Sequence, residues 1–215
     1  MKLIMLGAPG SGKGTQGKKI AAYMNIPNIS TGDILRKALS DKTTLGIEAK
    51  KYMENGELVP DDVMIGIVRE RIKEADCDNG FILDGFPRTV PQAEALDRML
   101  AESGEKLDYV LDLDVSRNEL VERLTSRRVC RNCGRDYNMI TNPPPDDMIC
   151  EQCGGEIWQR ADDTVETVVN RLDVYDQKTK PLRKHYQNQG KLSLFDGNGT
   201  IDEVHDSIRE FLDHR

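Results

Sequence analysis

Short apolar runs of strand length alternate along this chain with longer segments whose apolar residues recur at helical spacing. Lys2 to Leu6 is the first run, and Gln16 to Met24 is the first periodic segment. Asn28-Ile29-Ser30 follows as a short strand, and Ser30-Thr31-Gly32-Asp33 gives a turn and a helix start. Ile34, Leu35, Ala38 and Leu39 share one helical face, with Arg36 off that face and near the turn. Another helical segment runs from Gly46 through Tyr52 and stops at Asn55-Gly56. Glu57-Leu58-Val59-Pro60 is extended, because the residue before a proline avoids the α region. Asp61 or Asp62 is expected to cap the next helix, whose apolar face holds Val63, Ile67 and Val68. Phe81 to Asp84 and Tyr109 to Asp114 read as strands, with a helix from Pro91-Gln92 to about Leu100 between them. Ser116 is expected to cap a helix that carries Leu120, Val121 and Leu124 and ends in Arg123, Arg127 and Arg128. A long helix is expected from about Thr164 to His185, bent or broken at Pro181. Lys191 to Asp196 is the last strand, Gly197-Asn198-Gly199 a turn, and Ile201 to Leu212 a terminal amphipathic helix.

The turn after the first strand carries chemistry. Gly7-Ala8-Pro9-Gly10-Ser11-Gly12-Lys13-Gly14-Thr15 places a glycine-rich loop and a lysine between a strand and a helix, the layout of a phosphate-binding loop. Glycines let the backbone wrap closely, so that N–H groups and the helix N-terminus face phosphate oxygens. Lys13 adds a mobile point charge for the β- and γ-phosphates. The general motif has Ser or Thr directly after the lysine to hold Mg²⁺, whereas here Gly14 stands there and Thr15 follows. Metal binding then falls to phosphates, water and an acid elsewhere. Asp84, at the C-terminal end of its strand and before Gly85-Phe86-Pro87-Arg88, is that acid, and Arg88 faces the same crevice. Arg36 taken alone reads as a solvated helix charge.

The pattern changes abruptly after Arg128. Cys130-Arg131-Asn132-Cys133 and Cys150-Glu151-Gln152-Cys153 enclose 16 residues that are poor in apolar side chains and include Pro143 to Pro145. Two C-x-x-C pairs at this separation fit a tetrahedral zinc site, and Gly134 and Gly154 suit the turns that aim the thiolates inward. Four cysteines leave no open position, so such an ion is structural. Cys77 stands alone and reads as a small buried thiol.

Composition narrows the rest. The chain has 215 residues, room for one large domain or a core with inserts, and 38% are hydrophobic. A net charge of −7 argues against a nucleic-acid partner. No apolar stretch approaches the ~20 residues of a membrane span. The first strand begins at Lys2 and leaves no room for a signal peptide, so a cytoplasmic location is expected. None of the three histidines lies near a catalytic candidate, which leaves a histidine mechanism nothing to build on.

Together the glycine loop from Gly7 to Thr15, Ser30-Thr31-Gly32-Asp33 with Arg36, Asp84-Gly85-Phe86-Pro87-Arg88 with Gln92, and Arg160-Ala161-Asp162-Asp163 with Arg171 resemble the adenylate kinases end to end. The four-cysteine insert resembles the long bacterial form with a zinc-bearing lid, and Gly14-Thr15 is normal within that group. The resemblance implies an α/β fold, a five-stranded parallel P-loop sheet with helices on both faces. It implies a core of residues 1–29, 60–126 and 164–215, an AMP-binding subdomain of 30–59, and a lid of 127–163. ATP would be held by Gly10, Ser11, Gly12, Lys13, Gly14, Thr15, Arg123, Arg127, Asp136, Tyr137 and Gly199. AMP would be held by Thr31, Arg36, Glu57, Leu58, Val59, Gly85, Phe86, Pro87, Arg88, Gln92, Arg160 and Arg171. Lys13, Arg88, Arg123, Arg160 and Arg171 would surround the migrating phosphoryl group, with Asp84 on Mg²⁺ through water. The implied reaction is reversible transfer from ATP to AMP giving two ADP, by a monomer whose two flaps close to exclude water. UMP, CMP or GMP as the acceptor remains an alternative, and an ATP-gated zinc-ribbon binding module a more distant one.

Overall fold

The computed structural model describes residues 1–215. The chain opens with β1 (Lys2–Gly7), α1 (Lys13–Met24), β2 (Asn28–Ser30), α2 (Thr31–Ser40) and α3 (Thr44–Asn55). It continues with α4 (Asp61–Arg71), β3 (Phe81–Asp84), α5 (Val90–Glu102), β4 (Tyr109–Asp114) and α6 (Arg117–Thr125). Three short strands follow, β5 (Arg127–Cys130), β6 (Asp136–Asn138) and β7 (Ile157–Trp158). The last elements are α7 (Val165–Val174), α8 (Pro181–Asn188), β8 (Leu192–Asp196) and α9 (Ile201–Asp213).

The five core strands pair in the order β2-β3-β1-β4-β8, and every pair is parallel. Side chains alternate across the sheet. Leu3, Met5, Ile82 and Leu111 pack on one face with Ile20 of α1 and Ile208 of α9. Ile4, Leu6, Leu83 and Val110 pack on the other with Leu96 of α5 and with Leu182 and Tyr186 of α8. With both faces covered, the strands are apolar runs, as a parallel sheet requires. From central β1 the chain moves to one side to form β2 and β3, then crosses to the other for β4 and β8. The ends of β1 and β3 therefore open a crevice where the connections diverge, the usual ligand position in such sheets. Gly7 and Asp84 stand at that edge.

Several local expectations give way. Pro60, not an aspartate, occupies the N-cap of α4, so Asp61 and Asp62 fall in the first turn and neither caps. Ser116 sits at the N-cap of α6, but its side chain makes no capping bond. That helix stops at Thr125, and Arg127 and Arg128 belong to β5. β5 pairs antiparallel with β6 on one side and β7 on the other, so the cysteine-bearing segment has its own three-stranded sheet. The long helix, by contrast, breaks at Pro181 as expected: a π-helical turn at Tyr175–Thr179 separates α7 from α8, which begins on Pro181. Proline at the first helical position lacks an N–H where none is needed, which explains why the break precedes it.

Candidate active site

The glycine loop runs from β1 into α1. Gly10 and Gly12 have φ of 86° and 94°, in the left-handed region. A Cβ on Gly10 would also lie 2.9 Å from Leu124 Cγ, so glycine is required there for space as well. Gly12 caps α1 without a side-chain bond, and no acid stands in the first helical turn. The N-terminal N–H groups of α1 are thus left for an anion. Lys13 Nζ donates to the Ala8 carbonyl at 2.7 Å, folded across the loop. Asp84 lies against the start of the same helix: a Cβ on Gly14 would sit 3.4 Å from its Oδ2. Burial lowers the Lys13 pKa to about 8, opposed by the charge of Asp84. Burial likewise raises Asp84, opposed by Lys13 and Arg88.

A second pocket opens beside this loop. It brings together Thr31, Arg36, Glu57, Leu58, Val59, Gly85, Arg88, Gln92 and Arg171. Thr31 Oγ1 donates to the Gly85 carbonyl at 2.9 Å, and Arg88 Nε donates to the same oxygen at 2.9 Å. Gly85 has φ 80°, which turns the chain sharply after β3 and points Arg88 back at the crevice. From the π turn, Thr179 Oγ1 donates to the Arg88 carbonyl at 2.8 Å and fixes the backbone there. Phe86 and Pro87 lie elsewhere: both are buried, and Phe86 is part of the hydrophobic core.

The remaining arginines are each paired with an acid, two of them through Asp162 and Asp163. Arg127 donates twice to Asp163, at 2.9 and 2.6 Å, and Asp163 is 1% exposed. Arg171 reaches Asp163 at 3.2 Å and Asp162 at 2.9 Å. Arg160 lies 3.7 Å from Asp136, which is also 3.6 Å from Lys18 of α1. Lys18 Nζ donates to the Gly134 carbonyl at 3.0 Å, so the cysteine-bearing segment touches the loop helix directly. Arg123 donates to Glu119 and to the Gly197 carbonyl, each at 3.0 Å. Gly199 lies just beyond, in the turn before α9. Burial, together with neighbouring arginines, lowers Arg160 to about 10, and burial first, then Arg171, lowers Arg88. A cluster of cations that depress one another is a site built for a polyanion. Lys18, Asp162, Asp163 and Thr179 were not singled out from the sequence. The two acids sit inside the motif that carries Arg160, but their arginine partners become visible only in three dimensions.

The four cysteine sulfurs lie within 4.8 Å of one another. Cys130 and Cys153 are 3.5 Å apart, and Cys133 and Cys150 are 3.7 Å apart. Zn–S bonds of about 2.3 Å in a tetrahedron set sulfurs about 3.8 Å apart, so the donor set fits zinc. Both turns tighten through left-handed glycines: the Gly134 N–H bonds the Cys130 carbonyl and the Gly154 N–H bonds that of Cys150. Tyr137 is buried in this small core, and its hydroxyl donates to Cys150 Sγ at 3.4 Å. That bond lowers the Cys150 thiol, while the neighbouring sulfurs raise Cys133, so the cluster without an ion shares its charge unevenly. The Tyr137 side chain therefore faces the cysteines and leaves only its backbone for a nucleotide. Cys77 is buried beside Arg71 and Asp76, away from this cluster.

A parallel sheet with a phosphate loop at its crevice, a second pocket facing that loop and arginines between them defines a P-loop phosphotransferase acting on two nucleotides. The family model described as "Adenylate kinase" matches residues 5–191. An adenylate kinase of Carboxydothermus hydrogenoformans is 55% identical over 212 residues, covering 99% of each chain. Those of Geobacillus sp. and Methanosarcina acetivorans are each 52% identical over 212 residues, covering 99% of this chain and 98% of their own. The chain belongs to the adenylate kinase family, and its reaction is phosphoryl transfer from ATP to AMP, giving two ADP.

Proposed function

We propose that ATP lies on the Gly10–Thr15 loop and AMP in the pocket of Thr31, Arg36 and Arg88, with the phosphoryl group passing between Lys13 and Arg88. The placement of Asp84 carries this reading. Its carboxylate abuts the loop helix, its pKa registers the charges of both Lys13 and Arg88, and theirs each register its own. Magnesium bound with ATP would supply further charge neutralisation at the phosphates. A single carboxylate beside the loop, rather than a cage of acids, fits an ion that keeps phosphate and water ligands. Arg123, Arg127, Asp136, the Tyr137 backbone and Gly199 complete the ATP side. Arg36, Arg88, Arg160 and Arg171 grip the AMP phosphate, and Glu57, Leu58, Val59 and Gln92 surround its base.

The acceptor is a phosphate oxygen already ionised near neutral pH, so no base must take a proton. Positioning and charge stabilisation suffice. Residues 127–163 form the lid and 30–59 the second flap, and their closure keeps water from the phosphoryl group. Lys18 with Asp136 and Gly134 is the seam along which the lid meets the core. We further propose a monomer acting in the cytoplasm. No helix is long and apolar enough to cross a membrane. Comparing AMP with UMP and GMP as acceptors tests the assignment of the pocket, and AMP is expected to be strongly preferred.

Two predictions belong to this site. kcat/KM for ATP reports the free enzyme. It is expected to fall above about pH 8, because Lys13 loses its proton there and with it the charge that meets the phosphates. A pH profile flat up to the ordinary lysine value of 10.5 contradicts the shift. In the lid, Cys130→Ser is expected to remove zinc and lower the melting temperature, because its small core buries only Tyr137 and Ile157 besides Cys130 and Cys150. Turnover should persist at temperatures where the lid still closes, since the arginines lie outside the cysteine turns. Metal content, melting temperature and low-temperature turnover check this. Zinc loss with unchanged stability overturns the structural role.

A further inference from the structure

The side-chain amide of Gln92 is held at both ends. Its Nε2 donates to Asp61 Oδ1 at 2.7 Å, and its Oε1 accepts the Arg88 backbone N–H at 2.8 Å. Neither partner tolerates the reverse arrangement, because a carboxylate only accepts and a backbone N–H only donates. Thr89 Oγ1 donates to Asp61 Oδ2 at 2.9 Å, so the carboxylate is itself fixed. Gln92 is 2% exposed and lines the second pocket beside Leu35, Val59 and Met64. One Nε2 hydrogen and one Oε1 lone pair remain to it. The amide therefore offers the pocket one donor and one acceptor in a fixed order.

We propose that Asp61 is a positioning residue for base specificity: by pinning the Gln92 amide in one orientation, it favours a 6-aminopurine over a 6-oxopurine. The inference rests on Gln92 being the base contact. A 6-aminopurine presents an amino donor beside a ring-nitrogen acceptor. A 6-oxopurine presents the reverse, an oxygen acceptor beside a ring N–H. A freely turning amide serves both edges equally. A pinned one meets the 6-oxopurine with donor against donor and acceptor against acceptor. Turning it over would set Gln92 Oε1 against Asp61 and Nε2 against the Arg88 N–H, losing two hydrogen bonds at a buried side chain. Buried polar mismatches of this kind discriminate far better than apolar shape does. The acid that reads as a helix cap from the sequence thus serves the following helix, α5.

Asp61→Asn keeps the shape of the side chain while its amide can either donate or accept, which releases the Nε2 end of the Gln92 amide and leaves only the Arg88 N–H to resist its turning over. The ratio of kcat/KM for AMP to that for IMP, a 6-oxopurine monophosphate, is expected to fall by about tenfold. The change should lie in KM for the monophosphate, with KM for ATP unmoved. Asp62→Asn removes the same charge from an exposed neighbour in the same helical turn, and should leave the ratio unchanged. Gln92→Ala tests the underlying reading separately and should erase the preference for AMP. If Gln92→Ala leaves AMP kinetics intact, Gln92 is not the base contact and the proposal falls with that reading. If Gln92→Ala erases the preference while folded Asp61→Asn keeps the wild-type ratio, or loses AMP and IMP equally, the positioning role of Asp61 is overturned. Should the asparagine variant be unstable, Asp61→Ser, whose hydroxyl also donates or accepts, gives the same readout.

Discussion

Lys13→Ala is expected to lower kcat by about 10²- to 10³-fold while the protein stays folded. Lys13 is the first residue of α1 and makes one hydrogen bond, to the Ala8 carbonyl on its own loop, so the fold does not depend on it. Its charge is held at the crevice by the loop and by Asp84 before any nucleotide arrives. A preorganised donor aimed at developing charge is typically worth about 3–4 kcal/mol in the transition state. Bound phosphates must also restore the charge that burial disfavours, so Lys13 meets its strongest partner only in the loaded site. The check is steady-state kinetics alongside a melting curve. Near-normal turnover in the folded variant contradicts the placement of ATP on this loop.

Arg88→Lys is expected to lose about 10- to 100-fold in kcat/KM for AMP, with a drop in kcat as well, although the charge is retained. Arg88 Nε is engaged by the Gly85 carbonyl, which leaves the two terminal nitrogens of a planar fork free for phosphate. Lysine has one nitrogen, which cannot hold Gly85 and also grip two phosphate oxygens. Losing charge-assisted hydrogen bonds of this kind costs about 1.5–3 kcal/mol. The variant should keep its KM for ATP, because Arg88 belongs to the second pocket. A loss confined to ATP would move Arg88 to the other nucleotide.

Much of this site is readable from the sequence wherever the physical demand is local. The glycine loop is legible because left-handed turns need glycine at Gly10 and Gly12, and Asp84 because an acid ends an apolar strand. The cysteine spacing is equally direct, since chain length alone brings two knuckles together. What escapes is set by partners distant in sequence. β5, β6 and β7 are four, three and two residues long, too short to show an alternation, so Arg127 and Arg128 read as an extension of α6. Asp163 is 36 residues from Arg127, and nothing local marks it as that arginine's buried anchor. Asp61 reads as a helix cap because acids prefer that position. Pro60 takes it instead, and the partners of Asp61 lie 28 and 31 residues away, at Thr89 and Gln92. Tyr137 matches a nucleotide position by its place in the lid, yet its ring serves the cysteine cluster.

The most direct measurement is the stoichiometry of ATP consumption with Mg²⁺, in the presence and absence of AMP. With AMP, two ADP should form for each ATP consumed, with almost no inorganic phosphate. Without AMP, consumption should fall by orders of magnitude, because a closed site gives the phosphoryl group no water to meet. One ADP and one phosphate per ATP, at a rate indifferent to AMP, would contradict the transfer between two facing nucleotide sites.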